Sequence, residues 1–269
     1  MAIDVHVHSS GKESAAEILK AMDEAGMDKI FLFGPYPGLD EDKQREADDF
    51  VAKIASEAED RIIPFAFIEP RLKGAPQEVE RAVTDAGVKA VKMIPMQWYP
   101  GGPEARAVYE KVQELGVPIL FHSGILWGLK DDSQYCRPVY YEALLDYPKI
   151  RFAMAHMSWP WYDELLAVCG KFRAAMHYDP DRIQQIYIDI TSGAPRLWKV
   201  DALQKALVYL GDDTMMFGSD AGATSASSMR RRMEEDMSML REEVGVRQET
   251  IEKIFSTNAM KLFQKMERG

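Results

Sequence analysis

The chain has little cysteine, no excess of basic residues and no long apolar run. Cys136 and Cys169 are its only cysteines and stand in no Cys-x-x-Cys spacing. That excludes a disulfide framework or thiolate metal site, and a reducing cytoplasm fits best. Lysine and arginine number 33 against 43 aspartates and glutamates, a formal charge of −10. Such an excess repels phosphate backbones and anionic lipid, so neither nucleic acid nor a membrane surface is an expected partner. No segment approaches the roughly 20 apolar residues of a membrane span, and Met1-Ala2-Ile3-Asp4 carries no basic leader region. Low-complexity tracts are absent as well. What is there is 46% hydrophobic and 28% charged over 269 residues. This is the profile of a fully folded globular protein, read as a single domain over 1–269.

The organising stretch is Asp4-Val5-His6-Val7-His8. In an extended strand the side-chain period is two, which puts His6 and His8 on one face with Asp4 aligned and Val5 and Val7 on the other. Two converging imidazoles are half of a metal site, because neutral imidazole is a good ligand for zinc, iron or manganese. Ser10 and Glu13 then have capping-box spacing ahead of a helix that stops at Gly26. Short apolar runs follow at Lys29–Phe33, Ile62–Ile68, Val88–Met93, Val117–His122, Ile150–His156, Ile186–Ile190 and Thr214–Asp220, each separated by an amphipathic helical stretch. His177 falls in a polar loop and reads as an ordinary surface histidine. Two charged helical stretches, around 229–244 and 250–266, close the chain and would cap the fold.

Eight apolar strands alternating with helices predict an α/β protein, a closed (β/α)8 TIM barrel with an extra C-terminal helix. Chemistry in such barrels is carried at the C-terminal ends of the strands, and His6, His8, His122, His156 and Asp220 all fall there.

With those residues in hand, the chain resembles the amidohydrolase superfamily of metal-dependent barrel enzymes. The resemblance is to the amidohydrolase-related branch that holds both hydrolases and non-oxidative decarboxylases such as aminocarboxymuconate-semialdehyde decarboxylase. It is carried by Asp4-Val5-His6-Val7-His8, Val91-Lys92-Met93-Ile94-Pro95, Phe121-His122-Ser123-Gly124, Ala155-His156-Met157, Gly218-Ser219-Asp220 and the stretch from Ile254 to Phe263. It implies that His6, His8, His122 and Asp220 surround one divalent metal ion, zinc first with manganese or iron as alternatives, and that His156 stands beside the metal-bound water or the substrate. A water so activated would attack an amide, lactone or similar carbonyl while Asp220 or His156 exchanges the proton. Hydrolysis is the first expectation, and decarboxylation of an aromatic or unsaturated acid is the alternative on the same residues.

Asp4 is expected to be a structural acid, or a partner that orients an imidazole N–H, rather than to bind metal. Lys92 has two readings: a carboxylated bridge between two metals, as in binuclear members of the superfamily, or an ammonium inside the barrel paired with Asp4 or Glu69. The one-metal reading is adopted. The aromatics Tyr36, Trp98, Tyr99, Trp127, Trp159 and Trp161 and the arginines Arg71, Arg137 and Arg196 lie in strand-end loops. They suit a small ring-containing or carboxylated substrate. A homo-oligomer is compatible with the sequence.

Overall fold

The computed structural model of the protein describes residues 1–58, 60–191 and 193–263. The chain begins on β1 (Ile3–His8), followed in order by α1 (Ala15–Ala25), β2 (Lys29–Phe33), α2 (Glu41–Ser56), β3 (Ile62–Phe67), α3 (Ala75–Thr84), β4 (Ala90–Met93), α4 (Pro103–Leu115) and β5 (Ile119–Phe121). Two short tight helical segments lead to β6 (Phe152–Met154), then α5 (Tyr162–Tyr178), β7 (Ile186–Asp189), α6 (Arg196–Leu210), β8 (Met215–Met216), β9 (Ala221–Gly222) and α7 (Ala226–Ser238). The last described elements are α8 (Gln248–Glu252) and α9 (Asn258–Lys261).

The sheet is all parallel, in the order β8-β7-β6-β5-β4-β3-β2-β1-β9. Its two ends are the two halves of one strand. Met215 and Met216 pair with β7, and Ala221 and Gly222 pair with Val7 and His8 of β1. Between them the Val5 N–H donates to Phe217 O (3.0 Å) and the Asp220 N–H to His6 O (2.9 Å). The sheet therefore closes on itself, as the count of eight strands predicted, but its eighth strand is broken in the middle.

Continuous apolar runs mark strands covered on both faces. In β2, Phe31 and Phe33 join Ile3, Val5, Phe65, Leu120, Tyr187 and Met216 in one buried cluster inside the barrel, while Ile30 and Leu32 pack outward with Ile18, Met22 and Val51 of the helical layer. Each fully buried side chain of this size stabilises by about 1.5–3 kcal/mol. From α8 to α9 the helix runs on through a widened turn at Lys253–Thr257. Ala259, Leu262, Met260 and Phe263 reach the interior cluster, with Phe263 edge-on to Phe31 (5.2 Å) and Phe65 (6.1 Å). The C-terminal helix thus packs into the barrel as the sequence suggested; residues 264–266 of the expected helix lie outside the described residues.

Three local expectations are corrected. The helix after β1 is capped by Ser14 with Glu17 as a full capping box. Glu13 is instead occupied in the preceding loop, accepting from the Ser10 N–H (2.8 Å) and the Ser9 hydroxyl (2.7 Å). His177 is exposed as expected, but in the last turn of α5 rather than in a loop. Strict alternation also fails in β1, whose register against β2 shifts between Asp4 and Val7. Val5 turns into the barrel with Ile3, Val7 outward, and a bulge lies between them. Among the described residues, no helix is long and apolar enough to cross a membrane.

Outside the barrel, α6 and α7 are tied by a buried ion pair, Lys199 Nζ to Asp236 Oδ1 at 2.7 Å, with the side chains 4% and 8% exposed. Lys199→Met alone strands a buried carboxylate and is expected to cost roughly 3–5 kcal/mol, whereas Lys199→Met with Asp236→Leu restores most of it. Urea unfolding of both variants reads the difference, and a single-variant loss below about 1 kcal/mol would show the pair to be idle.

Candidate functional site

The bulge in β1 and the break between β8 and β9 lie side by side on neighbouring strands at the barrel's rim. His6 and His8, two residues apart and on one face of β1, enter one cavity, and the break leaves Asp220 in the left-handed region at φ 58°. Their donor atoms converge. His6 Nε2 lies 3.1 Å from His8 Nε2 and 3.5 Å from Asp220 Oδ1, and His8 Nε2 lies 3.2 Å from the same oxygen. Among the described residues no other trio of His, Cys, Asp or Glu side chains converges in this way.

These separations are those of a coordination polyhedron. Ligands about 2.0–2.2 Å from a metal stand about 2.8–3.6 Å apart along octahedral or tetrahedral edges. The tautomer is set as well: His6 Nδ1 is 2.6 Å from Asp189 Oδ2, so it donates to that carboxylate and leaves the Nε2 lone pair facing the other two donors. Burial, with the nearby Lys92 charge, holds His6 well below the usual imidazole pKa, and burial with His156 does the same for His122. Both are neutral at pH 7. Burial pushes the Asp220 carboxyl up, but hydrogen bonding to His8 and the interaction with His156 outweigh it and hold it well below its ordinary value. The donor set of neutral imidazoles and one carboxylate fits a divalent cation.

All five residues singled out at the strand ends line one cavity of about 220 Å³. They do not stand alike within it. His122, expected as a fourth donor, is outside the trio because its Nε2 is taken by the Ile125 carbonyl at 3.2 Å. His156 lies between the others, its ring 4.9 Å from that of His122 and 5.1 Å from that of His6. It is carried by three successive left-handed residues, His156, Met157 and Ser158, at φ 58°, 47° and 55°. Such a turn stores strain and needs its surroundings to hold it. The Ser158 hydroxyl bonds that of Ser123 (2.8 Å), which in turn donates to Ala155 O (2.7 Å), and Gly124 is required beneath, where a Cβ would stand 2.5 Å from Trp159 O.

Lys92 is fully buried at this cavity, with its Nζ 3.3 Å from His6 Nε2 and 4.7 Å from the centroid of Phe33. Burial lowers its pKa to about 8, opposed by the charges of Asp189 and Asp220. It pairs with neither acid named from the sequence: Asp4 Oδ1 accepts backbone N–H groups from His6 and Ser219, and Glu69 is held by Arg71. Asp4 stands outside the converging trio and has the contacts of a structural acid, and the acid that orients an imidazole is Asp189. In the sequence Asp189 stands one residue inside the run Ile186–Ile190, whereas in the structure it is the last residue of β7. Gly218 permits this packing, since a Cβ there would lie 2.4 Å from Thr191 Oγ1, 2.7 Å from Asp189 Oδ1 and 2.8 Å from His6 Cβ.

Of the strand-end aromatics, Trp127 and Trp159 line the cavity together with Ile94, Ile125 and Leu126. Trp98 is core, Tyr99 packs on Tyr135 and Tyr140, and Trp161 lies under Arg137. Of the arginines, Arg137 is engaged by Glu164 and Arg196 by Glu243 at the surface, whereas Arg71 borders a second cavity beside the first.

Comparison with known proteins follows the same lines. A family model described as Amidohydrolase matches residues 3–265. No curated protein sequence matches the chain. Among solved structures, 5-carboxyvanillate decarboxylase from Sphingomonas paucimobilis is similar at TM-score 0.71 and 12% identity, covering 97% of this chain and 98% of that one. A 2,6-dihydroxybenzoate decarboxylase from Rhizobium is similar at TM-score 0.69 and 16% identity, with 97% and 98% covered. A dihydroxybenzoic acid decarboxylase from Polaromonas sp. JS666, solved with bound manganese and the inhibitor 2-nitroresorcinol, is similar at TM-score 0.70 and 17% identity, with 97% and 96% covered.

Asp189→Asn is expected to weaken manganese or zinc binding about 10–100-fold in a chelator competition, since it replaces an acceptor-only carboxylate with an amide whose oxygen faces the Thr191 donors and whose NH2 then faces His6 Nδ1, favouring the wrong tautomer; wild-type affinity would show that the contact does not serve the donor set. Elemental analysis after dialysis is expected to find no metal in His6→Ala or Asp220→Ala and one equivalent in His156→Ala. Two equivalents in the wild-type protein would restore the carboxylated-Lys92 reading.

Proposed function

The chain belongs to the amidohydrolase family and is an enzyme, and on that premise we propose that it is a metal-dependent, non-oxidative decarboxylase of a small aromatic carboxylic acid. The observation that carries this reading is the two-sided cavity. His6, His8, Asp220, His122, His156 and Lys92 supply its polar part, and Ile94, Ile125, Leu126, Trp127 and Trp159 an apolar wall of ring-sized surfaces. Moving a carboxylate from water against such a wall is costly, while neutral carbon dioxide loses nothing there, so the wall favours the product over the bound acid. The similar folds named above include three decarboxylases of aromatic acids, which supports the same choice. Hydrolysis, the first expectation from the sequence, gives way to the alternative for these two reasons.

His6, His8 and Asp220 would hold one divalent ion, with His122 joining them on turning from the Ile125 carbonyl. When bound, the ion supplies Lewis acidity and fixed positive charge for the substrate's oxygens. Manganese is the first ion to test, since a similar structure contains it, with zinc and iron as the alternatives. Asp189 keeps His6 in the ligating tautomer. The Lys92 ammonium offers a donor to a substrate oxygen from the buried side of the cavity. His156, fixed by the strained turn, delivers a proton to the ring carbon that bears the carboxylate. The bond from that carbon to the carboxylate then breaks, its electron pair restores the ring, and carbon dioxide leaves. Asp220 exchanges the replacement proton, one per turnover, with solvent. Trp127 and Trp159 orient the ring and keep water from the reacting carbon.

Manganese-loaded enzyme offered salicylate, 2,6-dihydroxybenzoate and 5-carboxyvanillate is expected to release one carbon dioxide per acid consumed and, in heavy water, to place deuterium on the vacated carbon. His156→Ala is expected to lower kcat about 10²–10⁴-fold while keeping its metal. Cleavage of an amide or lactone panel with oxygen incorporated from labelled water, and no carbon dioxide from any acid, would overturn the decarboxylase reading in favour of hydrolysis.

A further inference from the structure

The first cavity is small for a whole substrate site. Pockets for small molecules usually span about 300–1,000 Å³, and this one holds about 220 Å³. Against it lies a cavity of about 600 Å³, and Leu126 and Trp127 line both. The larger space belongs to the same mouth of the barrel, and its lining includes Tyr36, Arg71, Gln97, Lys130 and Asp132.

Two features of this lining matter. Asp132 is 6% exposed, and its buried Oδ1 has no hydrogen-bond partner among the described residues. A buried carboxylate oxygen left so is costly until a donor reaches it. Arg71 is clamped through Nε and Nη2 on Glu69, at 2.8 and 3.0 Å, and Tyr36 adds its hydroxyl to the same carboxylate at 3.1 Å. This clamp fixes the guanidinium plane, and the nitrogens it spends on Glu69 are Nε and Nη2. Glu69 is 1% exposed, so the guanidinium is anchored from the protein's interior rather than from solvent. Lys130, exposed on the loop that carries Trp127, adds a second cation to the same lining.

We propose that this second cavity is a substrate subsite that takes a hydroxylated carboxylic-acid arm, its carboxylate received by Arg71 and Lys130 and its hydroxyl donated to Asp132. The inference deepens the decarboxylase reading and rests on it for the ring end of the molecule: the ring lies in the small cavity, and the arm passes Leu126 and Trp127 into the large one. The enzyme then selects an acid longer than a single substituted ring.

The test uses the manganese-loaded enzyme and three probes: salicylate, 4-butoxysalicylate, and 4-(3-carboxy-2-hydroxypropoxy)salicylate, whose arm has the same length as the butoxy chain but carries both polar groups. Calorimetric titration is expected to show the hydroxy-acid probe binding at least tenfold tighter than the butoxy probe. That ratio is expected to fall to within about threefold in Arg71→Met and to shrink in Lys130→Ala, whose exposed position spares the fold. Arg71→Lys keeps a cation beside buried Glu69, so a retained melting temperature with a lost ratio separates recognition from folding. Equal affinity for the two armed probes, or binding of neither, would overturn the subsite. Carbon dioxide release from salicylate is read separately: release with no advantage for the arm leaves the decarboxylase and removes the subsite. An Arg71-dependent advantage without release keeps the subsite and removes the decarboxylase.

Discussion

One carboxylate oxygen holds the site end of the barrel together. Asp4 Oδ1 accepts the His6 N–H at 3.0 Å and the Ser219 N–H at 2.9 Å, spanning the bulge of β1 and the break in the eighth strand. Both irregularities remove N–H groups from the ladder, and a buried N–H without a partner costs about 1–3 kcal/mol. Satisfied by one acceptor, the two defects become stable and complementary. The bulge lets Ile3 and Val5 face the same interior as His6 and His8, and the break lifts Asp220 toward the two histidines. Asp4 bears a cost of its own: burial raises its carboxyl to about 7, and Oδ2 has no partner among the described residues.

The electrostatics of the interior follow from this placement. Burial alone would favour uncharged forms of every group beneath the rim, raising Asp189 and lowering Lys92, His6 and His122. For the imidazoles that effect serves coordination, because only the neutral ring offers a lone pair. For Asp189 it is offset by the charge of His156 and by the hydroxyl and N–H of Thr191 on the same carboxylate. His6 and His122 are therefore neutral, and His6 is also locked in tautomer. Hydrogen bonding to one ring nitrogen decides what the other can do.

The barrel was legible because its signals are repeated: eight apolar runs, four of them ending in histidine or aspartate. His6, His8 and Asp220 were found for that reason and do converge. What escaped was whatever depends on departure from regularity. Strict alternation predicted that Asp4 would share a face with the histidines, and the bulge puts Val5 inside the barrel instead. The break at Phe217 to Asp220 left no trace in hydropathy, because every residue through Gly218 is apolar or small. Asp189 was passed over because it stands inside the apolar run Ile186–Ile190 rather than at its end. Its role depends on a contact with a residue 183 positions away, and one sequence does not display that. Similarly, Arg71, Arg137 and Arg196 look alike in sequence; only their partners in space separate the one that borders a cavity from the two tied down at the surface.

The two ends of the barrel show why the defects are tolerated where they are. At one end Phe31 and Phe65 meet Phe263 and the rest of the C-terminal helix, apolar groups in ordinary geometry whose burial is pure gain. At the other, Asp220 and the run from His156 to Ser158 occupy left-handed backbone, and a lysine is buried against an imidazole. Strain and desolvation of that kind persist only where the surrounding structure over-determines them. Here a closed ring of parallel strands does so, because shifting any one strand would break the pairing of both its neighbours. Closure is what permits the rim to be irregular, and the irregular rim is what brings the donors together.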